Sequence, residues 1–237
     1  LHGDRSLPNQ PSGTGFINLQ IPRMSRDNIR QTVNDLFTTT RLLTSGATDF
    51  DNSGGANFST TNQVYVGQSL GGIIGTVFTA TEANVRLGVL NVAGGRLAEL
   101  LINSPTISQQ ILPQLEAAGI VPGTFAFEQF LWLIQTVVDD ADSFNYAPRV
   151  TSGALKGNVT TNVLVQEMLG DLVVPNSATT DLVRALGIRH VLGVQGGQTP
   201  SGVPTVNAPT TGSGLFQYMN GQHGFLLDPT QGPTQQA

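Results

Sequence analysis

Short apolar runs rich in β-branched residues alternate along this chain with segments of helical period, and that alternation limits the fold more than any other feature. Val64-Tyr65-Val66, Leu87 to Val92, Val163-Leu164-Val165, Val191 to Val194 and Leu215 to Met219 read as strands. Between them, Leu70 to Thr79, the stretch 97–138 interrupted by Pro105, Pro113 and Pro122, and a segment capped by Asn176 or Ser177 and stopped by Gly187 read as helices. Ahead of them, Phe16 to Ile21 reads as extended. Ile29, Val33, Leu36, Phe37, Thr40 and Leu43 then predict an amphipathic helix over 26–44 with Ser25 as its N-cap. Strands that alternate with helices predict an α/β fold, a mainly parallel sheet with helices on both faces. With 237 residues, 39% of them hydrophobic, the chain can bury a sizeable core.

The surface left over is weakly charged. Charged residues are 11% of the chain, Lys156 is its sole lysine and the net charge is -5. Without a basic cluster there is no electrostatic footprint for a phosphate backbone, so no nucleic-acid partner is expected. No apolar run approaches the roughly 20 residues that span a bilayer, so no transmembrane segment is expected, and contact with lipid would be transient and from outside. The absence of cysteine removes thiolate metal sites and cysteine nucleophiles. A lysine-poor, Asn/Thr/Gly-rich composition points to a secreted or cell-envelope bacterial protein. Leu1 stands where a complete chain would carry Met, so an upstream segment is expected.

Asp49-Phe50-Asp51-Asn52-Ser53-Gly54 has the alternating oxygen ligands that open a calcium loop, but the twelfth position is Thr60 in place of a bidentate Glu. A solvated turn is the better reading, and no metal site is assigned.

Gly67-Gln68-Ser69-Leu70-Gly71 fits G-x-S-x-G between a predicted strand and a predicted helix, the context in which a serine is presented at a strained turn. Side chains at 67 or 71 are expected to clash there. The Leu70 N–H, at the start of the following helix, is placed to bind an oxyanion. A nucleophilic serine needs a base, and the chain has three histidines. His2 lies at the extreme N-terminus and His190 follows a helix end. His223, flanked by small residues in Gly-Gln-His-Gly, can bend toward a site. The acid that orients it should follow a strand between the two. Gly170-Asp171-Leu172-Val173-Val174-Pro175 has that form, while Asp139, Asp140 and Asp142 sit at the end of a helical stretch.

Val-Gly-Gln-Ser-Leu-Gly-Gly-Ile-Ile-Gly-Thr, Leu-Asn-Val-Ala-Gly-Gly, Phe-Asn-Tyr-Ala, Gly-Asp-Leu-Val-Val-Pro-Asn and Gln-His-Gly-Phe-Leu, in that order, resemble the extracellular bacterial lipase and virulence-factor lipase group of α/β hydrolases. The similarity runs from Arg26 to Leu227. It implies an α/β-hydrolase fold and a serine carboxylic-ester hydrolase without a cofactor, acting on an ester or lipid substrate. Ser69 would be the nucleophile, His223 the base and Asp171 its partner. Leu1-His2-Gly3 matches the turn after the fourth strand of that fold better than its oxyanion loop, since the residues up to Met24 show no helical period. The resemblance therefore implies that residues 1–237 are a catalytic domain whose first strands, with half of the oxyanion hole, lie upstream.

Residues 97–148 form the candidate helical lid or cap. Within it, Phe127, Phe130, Leu131, Leu133, Ile134, Val137 and Val138 share one helical face, expected to meet the core. Phe125 and Trp132 fall in the opposite polar stripe, which makes them candidate substrate-binding residues. Two other readings stay open at this level. One is a hydrolase of polyesters, thioesters or peptides, since a triad fixes the reaction and leaves the acyl group open. The other is a non-catalytic exported binding or structural module.

Overall fold

The computed structural model describes residues 15–18, 21–46, 49, 51–55, 58–61, 63–193, 198–228 and 230. His2, Gly3, Phe50 and Val194 lie outside them.

Helix α1, Pro22–Thr44, starts a turn earlier than its apolar period suggests, because Pro22 opens it with a preset φ. Ser25 therefore does not cap it. Its hydroxyl instead accepts the Asn18 N–H (2.6 Å) and lies within hydrogen-bond distance of the Asn18 carbonyl (3.2 Å), from inside the helix. The described part of 15–21 is turn and bend in place of the expected extended piece.

Strand β1 (Gln63–Gln68) feeds helix α2 (Leu70–Thr81), and strand β2 (Val85–Asn91) follows. The long helical stretch resolves into α3 (Leu97–Asn103), α4 (Ser108–Ala117), α5 (Phe125–Val138) and α6 (Ser143–Ser152). Pro105 and Pro122 fall between helices as expected, whereas Pro113 sits inside α4. Strand β3 (Asn162–Met168) and helix α7 (Asn176–Leu186) come next, and Gly187 closes α7 in the left-handed conformation at φ 66°. Strands β4 (Arg189–Leu192), β5 (Thr205–Asn207) and β6 (Gly214–Tyr218) complete the described elements. The three-residue β5 has no counterpart in the apolar runs.

All six strands join one sheet in the order β1-β2-β3-β6-β4-β5, and every neighbouring pair is parallel. The chain thus returns last to a position beside β3, and this sets the C-terminal ends of β3 and β6 next to each other.

Helix α2 lies close on the sheet because Gly75 faces the Tyr65 ring, where a Cβ would stand 2.1 Å from a ring carbon. Tyr65 in turn meets Phe78, with ring centroids 5.5 Å apart. Helices α6 and α7 bury Ala147, Val150, Leu182 and Leu186 against Val163, Val165 and Leu215. The opposite sheet face carries Val64, Val66 and Leu87, which are 58%, 58% and 52% exposed. Among the described residues, α2, α6 and α7 cover only the face that bears Tyr65, Val163 and Val165.

The sole lysine is a structural clamp. Buried Lys156 donates from Nζ to Thr79 O (2.5 Å) and Glu82 O (3.4 Å) at the C-terminal end of α2, and it also contacts Thr161 Oγ1. Burial pulls its pKa down to about 8.

Candidate active site

The chemistry-bearing residues gather at the C-terminal ends of the parallel strands, where open α/β sheets place their sites. Ser69 joins β1 to α2 with φ 55° and ψ -120°, a backbone conformation that costs a non-glycine residue about 1–3 kcal/mol. Its N–H donates to Asn91 O (2.8 Å) at the end of β2, which holds the turn to the sheet. Gly67 makes the turn possible, since a Cβ there would stand 2.3 Å from Gly71 O. Gly71 itself has room. Its Cβ would meet nothing nearer than Tyr65 Oη at 4.0 Å, so the expected clash at 71 is corrected, and the close approach belongs to Gly72, 2.7 Å from Ala93 Cβ. Leu70 is the first residue of α2, and its N–H has no partner within the helix.

Asp171 lies in the turn after β3 and His223 in the turns after β6, and the adjacency of those strands brings them together. Asp171 Oδ2 is 2.7 Å from His223 Nδ1. The other carboxylate oxygen accepts the N–H groups of Val173 (2.8 Å) and Val174 (3.1 Å). The acid side chain is 2% exposed and that of the histidine 20%, and the Nδ1 edge of the imidazole is the one that meets Asp171. The histidine loop reaches back to the serine turn, where Gln68 Nε2 donates to His223 O (3.2 Å). Phe225 fastens this loop. It is buried against Val92, Met168 and Tyr218, its ring centroid 4.9 Å from that of Tyr218.

Behind Asp171 sits a second, buried carboxylate. Glu167 accepts from Asn176 Nδ2 (3.0 Å) and Gln217 Nε2 (2.7 Å). Asn176 also donates to Met168 O and accepts the Gly170 N–H. It therefore ties the acid turn to β3 and does not cap α7, whose N-terminus carries no side-chain cap. Burial, aided by the nearby charge of Asp171 and opposed by the Gln217 and Asn176 donors, pushes Glu167 up to about 7. Sequence reasoning missed Glu167, Gln68 and Phe225, although Gln68 and Phe225 lie inside quoted motifs. A charged residue at an inward-facing strand position was the available signal for Glu167.

The remaining candidates fall elsewhere. His190 is buried in β4 beside Thr199 Oγ1 (3.0 Å), and burial lowers its pKa. Asp142 is structural. It caps α6 through Phe144 N (2.9 Å) and accepts the Arg96 and Leu97 N–H groups at the start of α3. Asp139 accepts from Gln135 and Asn145. Asp49 and Asp51 spend their carboxylates on the N–H groups of Ser53 and Gly54, as a solvated turn does. Among the described residues, no group of three or more His, Cys, Asp or Glu side chains could hold a metal ion.

A cavity of about 100 Å³ borders Ser69 and Leu70, walled by Ile73 of α2, Leu97 and Leu100 of α3, and Ile134 of α5. Phe125 and Trp132 are both exposed, and neither borders it. Trp132 instead lines a separate cleft of about 230 Å³ with Arg96, Glu128 and Phe144. Leu133, expected on the core face of α5, is exposed, because only Phe127, Ile134 and Val138 of that helix are buried.

Similar arrangements occur among solved structures. The acetyl xylan esterase of Paenibacillus sp. R4 superposes with a TM-score of 0.55 at 14% identity, over 93% of this chain and 55% of that one. Acetyl xylan esterase 1 of Thermoanaerobacterium sp. gives 0.52 at 14% identity, over 92% and 55%. The acylaminoacyl peptidase of Pyrococcus horikoshii gives 0.51 at 12% identity, over 92% and 27%. The fold is that of the α/β hydrolases. No protein-family profile matches the chain, and no curated protein sequence is similar to it. The chain spans 55% of the length of the two esterases. Within this fold, β1 leads into the Ser69 turn, β3 into the turn that carries Asp171 and β6 toward the turns that carry His223. No described helix is long and apolar enough to cross a membrane.

Proposed function

We propose that residues 1–237 carry the catalytic part of a serine carboxylic-ester hydrolase, lipase-like in its substrate. The observation that carries this reading is the 2.7 Å contact between His223 and Asp171, in a loop that Gln68 holds against the strained Ser69 turn. His223 Nδ1–H donates to Asp171, which fixes the tautomer and leaves Nε2 as the base. Nε2 takes the proton of Ser69 Oγ as that oxygen attacks the ester carbonyl carbon. The Leu70 N–H donates to the oxyanion. Collapse of the tetrahedral intermediate breaks the C–O bond, and the His223 proton leaves with the alcohol. Water, deprotonated by the same imidazole, then hydrolyses the acyl-enzyme.

Helices α3 to α5, within the stretch 97–148, are the candidate lid, with exposed Trp132 and Phe125 meeting lipid transiently, and the lysine-poor composition supports an exported protein. Labelling of the full-length protein with a fluorophosphonate tests the reaction class. Wild type should label and Ser69→Ala should not. Undiminished labelling of that variant would place the nucleophile elsewhere. Asp171→Asn should keep the fold and lower ester turnover on the order of 10⁴-fold, the effect of the wrong imidazole tautomer in serine proteases.

A further inference from the structure

Glu167 is 1% exposed, and its carboxylate meets the neutral amides of Asn176 and Gln217 where a buried acid would usually have a basic partner. The charged group that acts on it is Asp171, further along the same chain segment. Burial of this kind costs stability, so the reason for it lies in what the carboxylate orients.

Its two oxygens reach different parts of the site. Oε1 accepts from Asn176 Nδ2 (3.0 Å), which also donates to Met168 O (2.8 Å). With both acceptors on the Nδ2 side, the amide turns Oδ1 toward the Gly170 N–H (2.8 Å). Asn176 thereby joins the two ends of the loop that carries Asp171, a loop whose own closing bond, from Asp171 N to Met168 O, is long at 3.3 Å. Oε2 accepts from Gln217 Nε2 (2.7 Å), the register partner of Glu167 on β6, the strand that leads to His223. Glu167 therefore fastens the acid loop to the strand of the histidine, where the 2.7 Å contact between Asp171 Oδ2 and His223 Nδ1 has to be kept. We propose that Glu167 is a positioning residue for Asp171: acting through Asn176, it keeps the acid on the His223 imidazole and never meets substrate itself. Its effect on turnover rests on the hydrolase reading, whereas its effect on the histidine needs only the contact with Asp171.

In the full-length protein, the Nδ1–H proton that His223 shares with Asp171 should give a strongly deshielded proton NMR signal, absent from Asp171→Asn. Glu167→Ala should lose or broaden that signal and lower kcat on the order of 10–100-fold with KM nearly unchanged, less than outright loss of the acid. The acidic limb of kcat/KM should move to lower pH, because an imidazolium with a displaced carboxylate gives up its proton more readily. Asn176→Ala, at the half-buried start of α7, should do the same if Glu167→Ala fails to fold. The double variant should lose no more than either single one, since both break one chain of contacts. Glu167→Gln should recover most of the loss. Its carbonyl keeps the Asn176 donor, and its NH₂ is met by Gln217 Oε1, buried and without a partner, once that amide turns over. Gln198, whose carbonyl then gives up the Gln217 donor, is exposed to water. An unchanged His223 signal and pH limb in Asn176→Ala would overturn the positioning role, and so would additive losses in the double variant. A signal that responds as expected, in a protein that neither labels at Ser69 nor turns over an ester, would leave the positioning role standing and overturn the hydrolase reading.

Discussion

Ser69 adopts a conformation its own chemistry disfavours, and its neighbours hold it there. Gly67 removes the Cβ that would strike Gly71 O, Asn91 O receives the Ser69 N–H, and Ser69 O in turn accepts from Gly72 and Ile73 as α2 begins. Both ends of the turn are thus tied before the hydroxyl is presented. Glu167 has a comparable role on the acid side, where it anchors Asn176 and through it the turn that carries Asp171. Its pKa is pushed up to about 7 from 4.5, so the folded state binds its proton more tightly than the unfolded state does. Stability from this group is fully present below the unfolded value and is lost as pH rises from about 4.5 through about 7. At about 1.4 kcal/mol per unit, the loss is about 3 kcal/mol. Urea unfolding of the full-length protein should show wild type losing stability between pH 5 and pH 8 by this order, while Glu167→Gln loses much less over the same interval. Parallel curves for the two proteins would mean that Glu167 is already ionised in the fold.

At the level of elements, the central strands and the placement of Ser69, Asp171 and His223 after them were legible in the sequence, because a buried parallel strand leaves an apolar run and each of these residues follows one. Element ends were less legible where a side chain had two possible uses. Ser25 and Asn176 both look like caps, yet one serves the main chain of Asn18 and the other the acid turn. Helix α5 shows a different limit. Its apolar face is wide in sequence, but α1 and α3 touch only part of it, so Leu133 remains exposed with Trp132 and Phe125. Period alone reports which residues share a face and is silent on how much of that face finds a neighbour. The exposed trio tests the lid. Trp132→Ala should leave the melting temperature nearly unchanged, as surface substitutions do, and should lower hydrolysis of long-chain emulsified esters severalfold while sparing short soluble ones. Equal loss on both substrates, with a lowered melting temperature, would mean that Trp132 packs its cleft against Arg96 and Phe144 and has no role at an interface.

On the scale of the whole molecule, the two sheet faces are unequal. Parallel sheets are normally buried on both sides, since their strands are apolar toward both. Here Val64 stands beside Leu87, and Val66 beside Val89, which in turn stands beside Leu164, in two adjacent rows on the face turned away from α2, α6 and α7. Val64, Val66 and Leu87 are more than half exposed, and β1, at the edge of the sheet, pairs with a strand on one side only among the described residues. An apolar patch joined to a free strand edge is the combination that drives self-association. Residues 1–237 expressed by themselves should therefore bind a hydrophobic dye strongly and elute in size-exclusion chromatography as concentration-dependent oligomers. Replacing Val64 and Val66 with Thr keeps β-branching, and hence strand preference, while adding a hydroxyl to the patch. The double variant should shift the elution toward monomer and reduce dye binding without altering far-UV circular dichroism. Substitution of Tyr65, on the covered face, should instead lower stability, because its ring fills the space left by Gly75 and its hydroxyl donates to Gly71 O (2.6 Å). If the wild-type span ran as a cooperatively melting monomer with little dye binding, the Val64–Val66–Leu87 patch would be tolerated in water, and the association predicted from it would be wrong.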